Sequence, residues 1–151
     1  MVARVTLERS VTERGKWMTL IMDCGNVEVP VQNGRPRVLI VEDQSEIREL
    51  LTNLLQPLGM HVFVASDGEQ AVEQALLIHP HLITLDLNLP LKDGQSVLED
   101  LADDPRTCEI PVIIVSAYVG DLRPTSQIVD VISKPFDVGE FIDAVSVAVT
   151  H

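Results

Sequence analysis

From Arg37 onward, short aliphatic runs recur between longer stretches whose apolar positions repeat at helical spacing. Val38–Val41, His61–Ala65, His81–Asp86, Ile110–Val115 and Val129–Ile132 read as strands. Val38–Val41 and Ile110–Val115 contain no charged position, as strands covered on both faces require. Between the strands, Ile47, Leu50, Leu51, Leu54, Leu55 and Leu58 form one broad apolar stripe, closed by Pro57 and Gly59. Asp67–Ile78 turns Ala71, Val72, Ala75 and Leu76 inward and stops at Pro80. Gly94–Ala102 does the same with Val97, Leu98 and Leu101. Asp137–Val149 does so with Phe141, Ile142, Val145 and Val149, and Asp137 and Glu140 stand at capping-box spacing. Five strands alternating with helices predict a doubly wound parallel α/β sheet with right-handed crossovers. Its core must be aliphatic, because aromatic residues are only 3% of the chain.

Ligands on such sheets gather at the carboxyl ends of the strands. Here the first strand ends in Glu42 and Asp43, the third in Asp86, the fourth in Ser116, and the fifth in Ser133, Lys134 and Pro135. Three carboxylates, a hydroxyl and an ammonium therefore converge on one edge. The carboxylates would repel one another if ionised and dry. A hard divalent cation such as Mg²⁺ relieves that repulsion, and it also offsets charge on an incoming phosphoryl group, whose transfer needs mainly positioning and charge stabilisation. One carboxylate can then act as nucleophile, with Lys134 and Ser116 holding phosphoryl oxygens.

These residues resemble the receiver domain of bacterial two-component response regulators. The resemblance spans about Arg37 to His151 and rests on VLIVED (Val38–Asp43), LITLDLNLP (Leu82–Pro90), Asp93-Gly94, IPVIIVSA (Ile110–Ala117) and SKPF (Ser133–Phe136). It implies a flavodoxin-like strand order 2-1-3-4-5. By position, Asp86 matches the phosphoacceptor and Asp43 the direct metal ligand, with Glu42 acting through water. Asn88 matches the position whose backbone carbonyl ligates Mg²⁺ (or Mn²⁺). Ser116 matches the switch hydroxyl and Lys134 the phosphoryl-binding lysine, and the Lys134–Pro135 bond is expected cis. Asn88 and Tyr118 flank the site as tuners of dephosphorylation.

Two departures alter the expectation. Val131 stands where the family places an aromatic three residues before the lysine, so the usual rotamer switch has no carrier. The stretch Tyr118–Gln127, with Gly120, Pro124 and few apolar positions, predicts a short, irregular or missing fourth helix.

Residues 1–36 read as an N-terminal extension and 37–151 as the receiver domain. Within the extension, Thr19–Met22 and Val27–Val31 could form a hairpin around Asp23–Asn26, or the segment is a loosely ordered tail or docking strand; Gln32–Pro36 is a linker. Charge is uneven. Residues 1–36 hold five Arg/Lys against four Asp/Glu, whereas the remainder holds six against nineteen, a net of -13. Such a surface disfavours nucleic acid and anionic lipid. No apolar run is long enough to span a bilayer. Cys24 and Cys108 show no metal-like spacing and no disulfide framework, and the easy reading is a reducing cytoplasm.

With the sequence ending just after the last helix, the expectation is a single-domain response regulator. It would take phosphoryl from a sensor histidine kinase or histidine phosphotransfer protein and signal through altered binding to an unspecified downstream protein, with homodimerisation left open. It would not be an enzyme beyond self-dephosphorylation. A phosphorylation-independent interaction scaffold is the alternative. A haloacid-dehalogenase-type phosphatase would want a second aspartate where Asn88 stands.

Overall fold

The aliphatic runs pair as one sheet. In the computed structural model, residues 34–150 are described, together with the backbone of Ser10–Val11 and Trp17–Met18. Arg37–Val41 (β1), His61–Ala65 (β2), Leu82–Leu85 (β3), Val112–Ser116 (β4) and Ile128–Ser133 (β5) lie in the order β2-β1-β3-β4-β5, every neighbouring pair parallel. Ser45–Leu55 (α1), Gly68–Ile78 (α2), Gly94–Asp103 (α3) and Val138–Val149 (α4) cover it. Period-two alternation splits the core into two layers. Leu39, Val41, Ile83, Leu85 and Ile114 pack with Ala71 and Ala75 of α2 and with Val97, Leu98 and Leu101 of α3. Val38, Ile40, Leu82, Ile113 and Ile132 pack with Leu51 and Leu55 of α1 and with Phe141 and Val145 of α4.

The apolar stripe expected on α1 is narrower than the sequence suggests. Leu51 and Leu55 are buried, but Leu50 is 44% and Leu58 50% exposed. Leu50 lies about 100° around the helix from Leu51, at the margin of the buried face. Leu58 falls in the Gln56–Leu58 3₁₀ turn, whose tighter winding rotates it off the stripe. Strand β4 begins at Val112 rather than Ile110, because Pro111 offers no N–H to the ladder.

Helix starts follow the acidic residues before them. Asp67, Asp93 and Asp137 each accept a hydrogen bond from the third residue on, at Gln70, Ser96 and Glu140. Asp137→Ala removes one such cap and is expected to cost about 1 kcal/mol, read as a lower urea midpoint with unchanged slope. His79, Pro80 and His81 serve the opposite edge: the Arg37 guanidinium donates to the Ile78 and His79 carbonyls at 3.1 and 2.8 Å, and the Arg37 amide donates to His81 Nδ1 at 3.0 Å.

Between β4 and β5 no helix forms. The segment 117–127 crosses as an irregular strap, with turns closed by the Leu122 amide on the Val119 carbonyl and the Ile128 amide on the Thr125 carbonyl, each at 3.2 Å. Val119 and Leu122 rest on the α2–α3 side of the core. The Gln95 amide pairs with the Arg123 backbone, accepting its N–H at 2.9 Å and donating to its carbonyl at 3.4 Å, while the Arg123 guanidinium pairs with Glu99.

Ser10–Val11 pairs antiparallel with Trp17–Met18 as a separate two-stranded ribbon. The hairpin considered over 19–31 lies outside the described residues. Cys108, for which the sequence suggested no disulfide, is instead disulfide-bonded, with its partner outside the described residues. No helix among the described residues is long and apolar enough to cross a membrane.

Candidate functional site

Parallel strands deliver their last residues to one edge, and the ladder continues one step beyond them. The Glu42 amide donates to the Ala65 carbonyl at 3.0 Å, the Asp86 amide to Val41 at 3.1 Å, and the Lys134 amide to Ser116 at 3.0 Å. The positions that carry Glu42, Asp86, Ser116 and Lys134 are thus fixed by the sheet itself. The Lys134–Pro135 peptide is cis.

Asp86 sits at the centre. Its Oδ1 accepts from the Asn88 amide and from the Ser116 hydroxyl, each at 3.0 Å, and its Oδ2 accepts from Lys134 Nζ at 3.0 Å. The same ammonium bonds Glu42 Oε1. Asp43 is exposed at the mouth, whereas the Glu42 side chain is only 2% exposed and lies behind the Lys134 ammonium. The opening is a cavity of about 590 Å³ lined by Asp43, Gln44, Asp86, Asn88, Tyr118 and Lys134, among others.

The electrostatics separate the carboxyls. Burial alone would raise Asp86, but the Asn88 amide, Lys134 and Glu42 together hold it below the usual carboxylate range. Glu42 is pushed up to about 7, chiefly by burial, with Lys134 opposing and Asp86 adding to the rise. Burial would lower Lys134, yet the two carboxylates keep its ammonium charged and raise it. The central carboxylate is therefore ionised and flanked by a compensating cation.

Glu42, Asp43 and Asp86 each offer a carboxylate oxygen within 4.8 Å of the others, a grouping that can hold a metal ion. The all-oxygen donor set, with one exposed member, fits a hard divalent cation that keeps part of its water shell.

Most residues singled out in the sequence meet here: Glu42, Asp43, Asp86, Asn88, Ser116, Tyr118 and Lys134. Val131 does not. It pairs with Ile114 within the β4–β5 ladder and stays outside the cavity lining. Sequence reasoning overlooked Arg48, whose guanidinium donates to the Glu42 carbonyl at 2.8 Å and the Asp43 carbonyl at 3.3 Å, bracing the acidic turn. Its position one turn into α1, following two acids, was the available signal. Gln44 was also overlooked; its amide donates to Glu42 Oε2 at 3.4 Å.

A sheet ordered 2-1-3-4-5 with an acidic pocket at its carboxyl edge is the flavodoxin-like receiver architecture. The chain belongs to the response regulator receiver domain family, whose model matches residues 38–146. It is 38% identical over 112 residues to the DNA-binding dual master transcriptional regulator RpaA of Synechocystis sp., covering 71% of this chain and 46% of that one. In structure it is similar to the receiver domain of sensor histidine kinase PA1611 from Pseudomonas aeruginosa PAO1, which has a magnesium ion coordinated in its active site cleft. That match has a TM-score of 0.70 at 26% identity, over 78% of this chain and 100% of that one. A sensor protein from Polaromonas sp. JS666 matches with TM-score 0.70 and 34% identity, over 77% and 97% of the two chains. The chain spans less than half the length of the first curated relatives it matches.

Proposed function

We propose that the chain is the phosphoryl-accepting component of a two-component phosphorelay, with Asp86 as acceptor and a phosphohistidine on a sensor histidine kinase or histidine phosphotransfer protein as donor. The observation that carries this reading is the arrangement around Asp86: an ionised carboxylate with two donors on one oxygen and an ammonium on the other. In the transfer, Asp86 forms a new oxygen–phosphorus bond as the phosphorus–nitrogen bond breaks, and the electron pair stays on the departing imidazole. The Asn88 amide keeps the carboxylate oriented. Lys134 compensates the charge that gathers on the phosphoryl oxygens, and Ser116 is close enough to redirect its hydroxyl onto one of them. Asp43, Glu42, Asp86 and the Asn88 carbonyl are the groups that would hold Mg²⁺ (or Mn²⁺), which when bound supplies charge neutralisation at the phosphoryl group.

The phosphorylated side chain adds about -1.5 to -2 charges at the pocket. Ser116 also lies 3.3 Å from the Tyr118 carbonyl. Drawing its hydroxyl onto the phosphoryl group leaves the start of the strap, whose middle is tied to α3 through Gln95 and Arg123. Output by altered protein binding through the strap replaces the aromatic route that Val131 forecloses. The phosphoryl-accepting role is assigned to residues 37–151, and Tyr118, at the cavity mouth, tunes access of water to the phosphoryl group.

Incubation with acetyl phosphate and Mg²⁺ is expected to add the mass of one phosphoryl group, and the gain is expected to vanish when excess EDTA replaces the Mg²⁺. No mass gain would reject this reading in favour of a phosphorylation-independent scaffold. Lys134→Ala is expected to keep metal binding yet lose most of the amide-shift response of the strap to beryllofluoride. A response equal to the parent's would show that the ammonium plays no part in the switch.

A further inference from the structure

Cys108 is disulfide-bonded, and the chain holds one other cysteine, Cys24. Within a single chain that count leaves Cys24 as the partner. The two belong to different parts of the sequence: Cys24 to the extension before β1, Cys108 to the turn between α3 and β4.

That turn is held without the bond. The Thr107 hydroxyl donates to the Leu101 carbonyl at 2.8 Å, and the Gln127 side-chain amide donates to the Thr107 and Ile110 carbonyls, each at 2.9 Å. The Thr107 and Cys108 amides return to the Asp104 carbonyl at 3.0 and 2.9 Å. Nor does the core depend on the bond. Among the described residues, every side chain that forms its two layers follows Arg37, so the crosslink closes neither layer. Cys108 is buried, and its sulfur lies 3.8 Å from the Pro105 carbonyl oxygen, which can accept from the thiol once the bond opens.

The chain can reach between the two attachment points. It enters the body at Pro36, whose carbonyl accepts from the His61 amide at 2.8 Å beside the start of β1. Only β3 separates β1 from β4 in the sheet, a distance of about 10 Å. The residues between Cys24 and Pro36 can span up to about 36 Å. Both attachment points precede strands, whereas Asp86 and Lys134 follow them, at the opposite edge.

We propose that Cys24 and Cys108 form a reversible disulfide, which tethers the extension to the receiver under oxidising conditions and releases it under reducing ones. A crosslink that joins the extension to a body already complete changes attachment, not folding, when it opens. The proposal rests on the phosphorelay reading for its compartment, a reducing one, where disulfides are mostly transient and redox-sensing. In reduction by a glutathione-class thiol, the incoming thiolate bonds to the Cys24 sulfur, because Cys108 is buried. The Cys24–Cys108 bond breaks, and its electron pair stays on the Cys108 sulfur, which takes up a proton. A second thiolate then bonds to the small-molecule sulfur of the mixed disulfide. Cys24 departs with its electron pair and is protonated, and the two small thiols end as one disulfide.

The test equilibrates the full chain in glutathione buffers from oxidising to reducing, then alkylates free thiols and reads the intact mass. Oxidising buffer is expected to give an unalkylated monomer that yields a linked Cys24–Cys108 peptide. At a cytoplasmic glutathione poise, more than half of the molecules should carry two alkyl groups, and reoxidation should reverse this. Reduction should keep a cooperative urea transition and lower the fluorescence anisotropy of Trp17, the chain's one tryptophan. It should shift the amides of Asp104–Ile110 and Gln127 more than those of Asp86, Asn88 and Lys134. Cys24→Ser should show the reduced anisotropy in every buffer.

A bond that stays closed at that poise would overturn the proposal. So would loss of the cooperative transition on reduction, a crosslink between two copies, or a parent-like anisotropy change in Cys24→Ser. Acetyl phosphate uptake, read on the same samples, separates this proposal from the acceptor role of Asp86. Uptake with a bond that stays closed overturns the tether alone. Reversible opening without uptake supports the tether and rejects the acceptor.

Discussion

Asp86→Asn is expected to abolish phosphoryl uptake from acetyl phosphate while leaving the chain folded. The substitution keeps shape and removes the nucleophile, since a neutral amide oxygen cannot form the acyl phosphate. The carbonyl of the new side chain can still accept from the Asn88 amide and the Ser116 hydroxyl, as Asp86 Oδ1 does now. Its NH₂ group, placed where Oδ2 meets Lys134 at 3.0 Å, would face an ammonium and turn an attraction into a repulsion. Lys134 keeps a partner, because Glu42 already bonds the same nitrogen. Removing the neighbouring carboxylate also takes away the contribution of Asp86 to the rise of Glu42, while the larger effect of burial stays. These changes offset one another, so a urea midpoint close to the parent's is expected alongside a complete loss of the mass gain. A persistent gain in the folded variant would move the acceptor to another residue and end the assignment of Asp86.

The pocket was legible in the sequence for a topological reason. In a parallel sheet every strand presents its carboxyl end to the same side, so noting that Glu42, Asp43, Asp86, Ser116 and Lys134 follow aliphatic runs is enough to bring them together. The missing helix after β4 was legible too, since Gly120, Pro124 and scarce apolar positions leave a helix nothing to bury. Other features depend on how elements meet, which residue spacing does not encode. Leu50 belongs to the apolar spacing of α1 yet lies beyond the contact line with the sheet. Arg48 acts on backbone carbonyls, which have no residue signature. The tie between Gln95 and Arg123 joins residues 28 apart through a polar side chain and a backbone, a pairing no periodic pattern foretells.

Gly94→Ala is expected to destabilise the fold by about 1–3 kcal/mol and to slow phosphoryl uptake, although alanine is the better helix former. On an open helix surface the exchange would favour the fold by up to about 1 kcal/mol. Gly94 has no positive φ to relieve, so conformational preference does not oppose alanine here. Space does. A Cβ at this position would lie 2.5 Å from the Asp86 carbonyl oxygen and 2.5 Å from Leu87 Cα. Both are backbone atoms, which cannot rotate aside, and the Gly94 amide already ties α3 to the Leu87 carbonyl at 2.9 Å. Overpacking of this kind typically costs about 1–3 kcal/mol. The displacement falls on the peptide that carries the proposed acceptor, so the Asp86 carboxylate must shift relative to Lys134 and Ser116. Gly139→Ala is the fitting comparison, because its Cβ would meet only the Asp137 carboxylate oxygen at 3.0 Å, so the exchange can disturb the α4 cap but not the Asp86–Leu87 peptide. A lowered urea midpoint and slowed uptake in Gly94→Ala, with parental uptake in Gly139→Ala, would show that the close seating of α3 on the Asp86–Leu87 peptide holds the acceptor in place. A Gly94→Ala variant as stable and as fast as the parent would show that it does not.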